Sequence, residues 1–365
     1  MSKPVLTKEI AYKAFQDFFS DKPFVLFATG TSCAVEQGFS MGELEADLKE
    51  KIPKCNSLNN EQKEEWQTVV HSLESNHDFE AAMGAVKDAQ LLELIIKKTA
   101  EHVAKVDQRN SLGILNGTKY WTAISIFQRL VDGLPEVDPI LHVATPNYDL
   151  LAEYAFTRAK ILYSTGFCGG LIRKLDWTQA KRQMTYLETV SSGRKMQSIT
   201  RTKKHICLYK VHGSLNTFRV NEDHIESDAW LWKCPEQYKR VMVTPGVSKH
   251  QSLNENRDAL LVECDKAIKK HHSFLFLGFG FNDSHLINNA IGEKLRQASP
   301  ALIITRDSNE RIEGLLNASG NTWLICKHQD DNSTRVFNRE YKDWLYLPNE
   351  ELWRFDTFAT EIMGN

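Results

Sequence analysis

The sequence predicts an α/β fold with a mostly parallel sheet and helices on both of its faces. Short apolar runs such as "FVLF", "FLFL" and "ALII" have the composition of strands that are buried on both sides. Helical patterns follow most of these runs, as expected for parallel strands joined by crossover helices. Glycines and polar residues come directly after the runs, at the end of the strands where such sheets bind ligands.

The amino-terminal part begins with one strand and continues mainly as helix. The stretch "KPFVLFATGTS" predicts a strand that ends at Gly30, and "MGELEADLKEKI" predicts a helix after a glycine-bearing turn. Residues 59–132 are rich in Glu, Lys, Gln and Leu with helical periodicity, as in "AQLLELIIKKTAEHVAKV". We therefore expect a helical insert over about residues 50–135.

The rest of the chain alternates between strands and helices. "PILHVATPNYDLLAEYAF" predicts a strand over about residues 140–144 and a helix that starts near Asp149. A variable, polar and basic segment follows at about residues 166–204. The later elements are strands in "HICLYKVHG" and "RVMVTPG", a helix in "NENRDALLVECDKAIKKHH", strand and helix in "SFLFLGFGFNDSHLINNAI" and again in "PALIITRDSNERIEGLLN", and a last strand in "NTWLICK".

We expect one domain over residues 1–340, followed by a short tail. The tail, residues 341–365, carries the aromatic clusters "YKDWLYL" and "ELWRFDTFA", which suit docking on the body or on another chain. The basic segment is expected to be a solvated loop, and contact with nucleic acid or a partner is the alternative.

Composition narrows the class of protein. The 365 residues carry a net charge of -2, so no global basic field attracts nucleic acid. No apolar run reaches the roughly 18 residues that span a bilayer, and the amino terminus has no signal-peptide core, so we expect a soluble, cytoplasmic protein with no membrane contact. The seven cysteines are scattered without a C-x-x-C pair, which indicates neither a disulfide framework nor a zinc site.

Four polar stretches are predicted at the carboxyl ends of strands. They cover residues 28–32 ("ATGTS"), 145–149 ("TPNYD"), 212–216 ("HGSLN") and 278–283 ("GFGFND"). The glycines Gly30, Gly278 and Gly280 allow the backbone to approach a pyrophosphate, although a tight turn alone explains each of them equally well. Because the four stretches share one predicted edge of the sheet, we interpret them together as a nucleotide site.

Four side chains in these stretches have groups that could take part in binding or catalysis. The amide of Asn147 can accept and donate a hydrogen bond to a ribose hydroxyl or a water molecule. Asp149 could stabilise positive charge, and helix capping is its simpler role. His212 could act as a base near neutral pH, although a lone histidine at a strand end is more often structural. Asp283 could lie near a ribose or cap the next helix.

The set and order of these motifs resemble the sirtuin (SIR2-like) superfamily over about residues 24–305. "ATGTS" is similar to the opening G-A-G-x-S, "TPNYD" to T-Q-N-[IV]-D, and His212, Gly213 and Ser214 match H-G-S. "GFGFNDSHL" is similar to the G-[FY]-[GS]-x-x-D-x-H pattern of the divergent bacterial branch. The resemblance implies a Rossmann-like NAD+ site.

Residue roles follow from the same resemblance. Asn147 would contact the nicotinamide ribose, His212 would be the catalytic base and Asp149 would lie near nicotinamide. The remaining positions would line the cofactor: Gly30, Thr31 and Ser32 the phosphates, Gly213 and Ser214 the neighbourhood of the base, and Gly278, Gly280 and Asp283 the nucleotide end.

Two departures from the sirtuin pattern shift the expected substrate. The zinc module that deacylase sirtuins carry after the catalytic histidine is missing, because only Cys234 stands in that stretch. Ala28, Thr29 and Pro146 also replace family residues. These changes favour hydrolysis of NAD+ itself, without zinc, over an NAD-dependent protein deacylase or a non-catalytic NAD or ADP-ribose binding subunit.

The resemblance also implies a biological setting. Members that lack the zinc module commonly act in bacterial antiphage defence, where triggered NAD+ depletion stops the infected cell. Such an activity must be silent until it is needed. We therefore expect a homo-oligomer controlled by a separate partner, preferably a HerA-like ATPase/translocase, with an Argonaute-type protein as the other option.

Overall fold

A nine-stranded sheet is the centre of the fold in a computed structural model of the protein, which describes residues 3–75, 79–192, 195–221, 223–242, 261–283 and 291–364. Its strands are β1 (Phe24–Phe27), β2 (Ile140–Thr145), β3 (Tyr163–Ser164), β8 (His205–Lys210), β12 (Phe274–Leu277), β13 (Ala301–Ile304), β14 (Thr322–Lys327), β15 (Thr334–Asn338) and β16 (Leu345–Leu347). The order across the sheet is β16-β15-β14-β13-β12-β1-β2-β8-β3, and all pairs except β14–β15 and β15–β16 are parallel. The predicted α/β fold is confirmed.

Helices cover both faces of this sheet. They are α1 (Lys8–Phe18), α2 (Thr29–Cys33), α3 (Met41–Lys51), α4 (Asn60–Glu74), α5 (Phe79–Met83), α6 (Ala89–Asn116), α7 (Ile124–Asp132), α8 (Leu151–Arg158), α9 (Trp177–Gln183), α10 (Val262–Lys270), α11 (Gly292–Arg296), α12 (Glu310–Ala318) and α13 (Phe355–Ile362). Side chains of β1 alternate between two cores: Val25 and Phe27 pack on one side, Phe24 and Leu26 on the other. All four are buried, which explains the uninterrupted apolar sequence of this strand.

The helical segment between β1 and β2 has a small core of its own. Leu48, Trp66 and Ile95 belong to this third cluster of buried side chains. Helix α6 starts at the side-chain cap of Asp88 and ends at Gly117, whose φ of 82° is the left-handed conformation that closes helices. This helix is 28 residues long, and its second half lies in the main core, beside the edge of the sheet that carries the polar stretches.

Smaller sheets lie beyond the main one. An antiparallel sheet of five strands has the order β11-β9-β10-β5-β4, and β6 and β7 form a separate hairpin. These strands are β4 (Phe167–Gly169), β5 (Arg173–Leu175), β6 (Thr185–Ser192), β7 (Lys195–Thr202), β9 (Gly213–Val220), β10 (Asp223–Glu226) and β11 (Lys239–Met242). The segment at 166–204, expected as a solvated loop, therefore contains strands and helix α9. Strand β4 pairs with β5 and β6 pairs with β7 inside the segment, and β5 also pairs with the distant β10.

The carboxyl-terminal residues belong to the same body. Strand β16, which lies within the predicted tail at 341–365, extends the main sheet, and Phe355 and Phe358 of α13 are buried in the main core. No helix of the described ranges is both long enough and apolar enough to cross a membrane. Three sequence predictions lie outside the described residues: the end of the strand "RVMVTPG" (243–246), the start of the helix at 254–260, and the helix at 284–290 after Asp283.

Candidate functional site

The four polar stretches follow four strands that are neighbours in the sheet. The strands β12, β1, β2 and β8 are adjacent and parallel, so their carboxyl ends meet at one edge. Register alignment places Phe27 beside Leu277, and Thr145 beside Lys210. Residues that are more than two hundred positions apart in the chain are thereby gathered at one site.

Two of the predicted glycines pack backbone against backbone. The amide nitrogen of Gly30 donates to the carbonyl of Gly278 at 3.0 Å. A Cβ atom on Gly30 would lie 2.7 Å from the Cα atom of Gly278, and Gly278 has a φ of 58°. Gly280 is different, because its nearest neighbour would be 3.5 Å away, and its carbonyl accepts a hydrogen bond from Asn309. Only the first two glycines are required for close packing at this turn.

A buried hydrogen-bond chain joins the first two stretches. The hydroxyl of Ser32 donates to Oδ2 of Asp149 at 2.8 Å and accepts from Nδ2 of Asn147 at 3.0 Å. The hydroxyl of Thr31 donates within its own turn, to the carbonyl of Ala28. Both hydroxyls that are expected to line phosphates make hydrogen bonds within the protein, and Ser32 holds the side chains of Asn147 and Asp149.

The side-chain amide of Asn147 is held through its nitrogen, while its oxygen is buried without a donor among the described residues. Its backbone nitrogen donates to Thr145, and its Nδ2 group is committed to Ser32. Its Oδ1 atom is buried and accepts no hydrogen bond from any residue that the structure describes. A buried carbonyl oxygen without a donor is costly, so this atom is suited to a hydroxyl group of a ligand.

His212 lies between β8 and β9 and is buried. Its Nε2 atom is 2.9 Å from Oδ2 of Asp283, within ion-pair distance, but the angle is not that of a hydrogen bond. The structure thus brings Asp283, expected at the nucleotide end, to the ring of His212. The next residue, Gly213, has a φ of 80°, and Ser214 donates to the carbonyl of Tyr148 at 3.3 Å.

Burial sets the ionisation of the carboxyl groups at this edge. It raises the pKa of Asp149 to about 6, while the nearby ammonium group of Lys210 and the hydroxyl of Ser32 act to lower it. Burial also raises the pKa values of Glu153 and Asp107. Three carboxyl groups therefore surround one buried cation, and the site has an excess of potential negative charge.

Sequence reasoning missed Asp107, Glu153 and Lys210. Each is a charged residue in an otherwise apolar position, which is the signal that could have identified it. Lys210 interrupts the strand "HICLYK", and Glu153 stands alone in "LLAEYAF". Asp107 falls at helical spacing from Val103 and Ile114, on the buried face of α6.

Comparison with known families identifies the family of this chain. The family profile described as SIR2-like domain matches residues 141–324, which is half of the chain. The chain therefore belongs to the SIR2-like family. The match includes the second, third and fourth polar stretches and begins after the first, so Gly30, Thr31 and Ser32 lie outside it. No curated protein matches the sequence.

Family membership indicates a general kind of activity. SIR2-like domains are often NAD-using enzymes, so membership indicates an NAD-related activity. Among the residues that the structure describes, no three histidine, cysteine, aspartate or glutamate side chains are grouped to hold a metal ion.

Proposed function

We propose that the protein is an NAD+ glycohydrolase that cleaves NAD+ to nicotinamide and ADP-ribose. The observation that carries the proposal is the unpaired Oδ1 atom of Asn147, which is buried and held in place by Ser32 and Thr145. It offers an acceptor to a ribose hydroxyl, at the edge of the sheet where His212 also lies. NAD+ is the substrate in this reaction.

The chemistry requires little acid assistance, because the nicotinamide of NAD+ is already a cationic leaving group. The bond between the ribose C1′ atom and the pyridinium nitrogen breaks, and its electron pair neutralises the departing nicotinamide. Positive charge then develops on the ribose, as in other glycosyl transfers. The carboxylate of Asp149 can stabilise this charge. Water adds to C1′, and His212 accepts the proton that the water loses.

The first test is nicotinamide release by Asn147→Ala. We expect at least a tenfold loss of kcat, because the variant lacks the acceptor that orients the ribose. Asn116→Ala, at the exposed end of α6, is the matched control and should release nicotinamide at the rate of the unchanged protein. Equal rates for Asn147→Ala and the unchanged protein would refute the assignment. Nicotinamide release that depends on an acetylated peptide would instead assign a deacylase.

The second test uses the raised pKa of Asp149. If the carboxylate must be ionised, kcat/KM falls by about tenfold per pH unit below a pH of about 6. Ser32→Ala removes a hydrogen bond to the ionised form, so it should raise the pKa of Asp149 and move this inflection upwards. Thr31→Val, which removes a hydroxyl from the same turn but not from Asp149, should leave the inflection in place. An unmoved inflection in Ser32→Ala would contradict the role of Asp149.

We extend the proposal to antiphage defence, with activity controlled by homo-oligomerisation and a HerA-like partner, on the basis of the family resemblance. A surface feature supports an assembled form: the hairpin β6–β7 pairs with no other described strand and exposes Leu187 and Met196 by 73% and 70%. Both lie on one face, because Met196 pairs with Ser191, four residues after Leu187.

The assembly proposal is tested by comparing NAD+ consumption with and without the HerA-like protein, alongside native mass spectrometry. We expect oligomers and a rate that depends on the partner. A stable monomer with full activity in the absence of any partner would argue strongly against it.

A further inference from the structure

A single peptide group at the site is held by two buried charges of opposite sign. It is the peptide that joins Asp149 to Leu150, directly after the loop of Asn147. Its carbonyl oxygen accepts from Nζ of Lys210 at 2.6 Å. Its N–H group donates to Oδ2 of Asp107 at 2.8 Å. The two charged residues come from β8 and from α6, so the main sheet and the long helix meet at this one peptide.

Both charges are themselves well supported. The side chain of Lys210 is 6% exposed, and its ammonium group lies 3.0 Å from Oε1 of Glu153. Asp107 has no exposed surface, and its Oδ1 atom accepts from the hydroxyl of Tyr154 at 2.7 Å and from the indole of Trp232 at 3.0 Å. The positions of Lys210 and Asp107 are therefore fixed before the peptide contacts them.

We infer that Lys210 and Asp107 form a peptide clamp, a pair of positioning residues that hold the loop of Asn147 and Asp149 in its reactive geometry. This inference rests on the proposed function for its catalytic part. A flipped peptide would turn its carbonyl towards the carboxylate of Asp107 and its N–H towards the ammonium of Lys210. Both contacts would be repulsive in a buried site, so the charges select one of the two peptide orientations.

The orientation of this peptide affects the positions of Asn147 and Asp149 through the backbone and through hydrogen bonds. The peptide plane sets the backbone of Asp149, whose carboxylate accepts from Ser32, and Ser32 accepts in turn from Asn147. The carbonyl of Tyr148, one residue earlier, accepts from the amide of Leu215 at 3.0 Å. Displacement of a catalytic group by about 1 Å can cost about 10²-fold in rate, so the clamp acts on kcat more than on binding.

The simpler interpretation is that Lys210 and Glu153 are only a structural ion pair. A double variant separates the two interpretations. Lys210→Met together with Glu153→Gln removes the ammonium group and also neutralises Glu153, its direct ion-pair partner, because a charged partner left unpaired in a buried site is a usual cause of unfolding. Glu153→Gln alone keeps an acceptor oxygen beside the ammonium group of Lys210 and so retains the bond from Lys210 to Asp149, while Asp107 and Asp149 still balance the charge of Lys210.

The experiment measures kcat and KM for NAD+, thermal unfolding, and hydrogen–deuterium exchange of the peptide covering residues 146–151. We expect the double variant to fold, to lose about 10²-fold in kcat with KM changed less than about threefold, and to exchange faster in the loop. Glu153→Gln should stay within about threefold of the unchanged protein in kcat, with unchanged loop exchange. A double variant with unchanged kcat and loop exchange would overturn the clamp.

Asp107→Asn tests the same peptide from its other side. The remaining oxygen of the asparagine can accept from Tyr154 and Trp232, while its NH2 group faces the N–H of Leu150 and cannot accept from it. The variant therefore loses the hydrogen bond to the peptide although its side chain has nearly the same shape. We expect the same fall in kcat and faster loop exchange, and an unchanged loop would again overturn the clamp. Should the unchanged protein hydrolyse no NAD+ in any assembly state, the proposed function fails, while loop exchange in these variants still decides whether the clamp exists.

Discussion

Replacement of His212 by glutamine is expected to lower kcat for nicotinamide release by about 10²–10⁴-fold, the range found when a general base is removed. Glutamine fills similar space and keeps a polar group near Asp283, so the fold is retained while the proton acceptor is lost. The measurement is nicotinamide release under single-turnover conditions, which separates the chemical step from product release.

The chain offers a matched control for this substitution. His205 lies at the opposite end of the same strand, is 4% exposed, and is bonded to the carbonyl of Lys203. His205→Gln should release nicotinamide at the unchanged rate. Similar losses in His205→Gln and His212→Gln would mean that the substitutions only destabilise strand β8. Full activity in His212→Gln would show that His212 is not the base.

The central strands of the main sheet, and the edge at which they end, could be predicted from the sequence, because these strands are largely apolar. Strands β1, β12 and β13 are each buried along their whole length. Parallel strands buried on both faces leave little ambiguity in sequence, and the residues after them must share one edge. That is why the Asn147 and His212 stretches could be placed together before their contacts were known.

The smaller sheets could not be predicted in the same way. Strand β10 pairs with β5, about fifty residues earlier, and with β9, and β5 has the sequence "RKL". Such short, charged strands form because long-range partners are available, and their own composition does not reveal them. The strand that starts at Gly213 was likewise not predicted.

Contacts inside the site depended on the same long-range packing. Nothing in the sequence indicates that Asp283 reaches His212, or that Asp107 reaches the loop of Asn147 from a helix forty residues earlier. Ser32 is an example: it is expected at the phosphates, and its hydroxyl is also hydrogen-bonded to both Asn147 and Asp149, which its sequence position did not indicate. The motif residues thus support one another as well as offering surfaces to a ligand.

Gly213→Ala is expected to have the largest effect on stability among the glycine substitutions at the site. Gly213 has a φ of 80°, and an alanine held in this conformation would lower the free energy of unfolding by about 1–3 kcal/mol. The added Cβ atom would also lie 1.8 Å from the carbonyl oxygen of Val241, a backbone atom of the paired strand β11. A backbone atom cannot move aside as the end of a flexible side chain can, so strands β9 and β11 would have to separate next to His212. We expect a loss of about 3 kcal/mol or more in the free energy of unfolding.

Gly314→Ala is the same substitution at another glycine, and we expect it to increase stability. Gly314 is exposed within α12, and no atom lies within 4 Å of the position where its Cβ would be. An alanine at this position should raise the free energy of unfolding by about 0.5–1 kcal/mol, since glycine is the poorer helix former. Denaturant unfolding of both variants measures the contrast. A Gly213→Ala protein as stable as the unchanged chain would show that the H-G-S turn does not need its left-handed glycine, and the close approach of β9 to β11 beneath His212 would then be wrong.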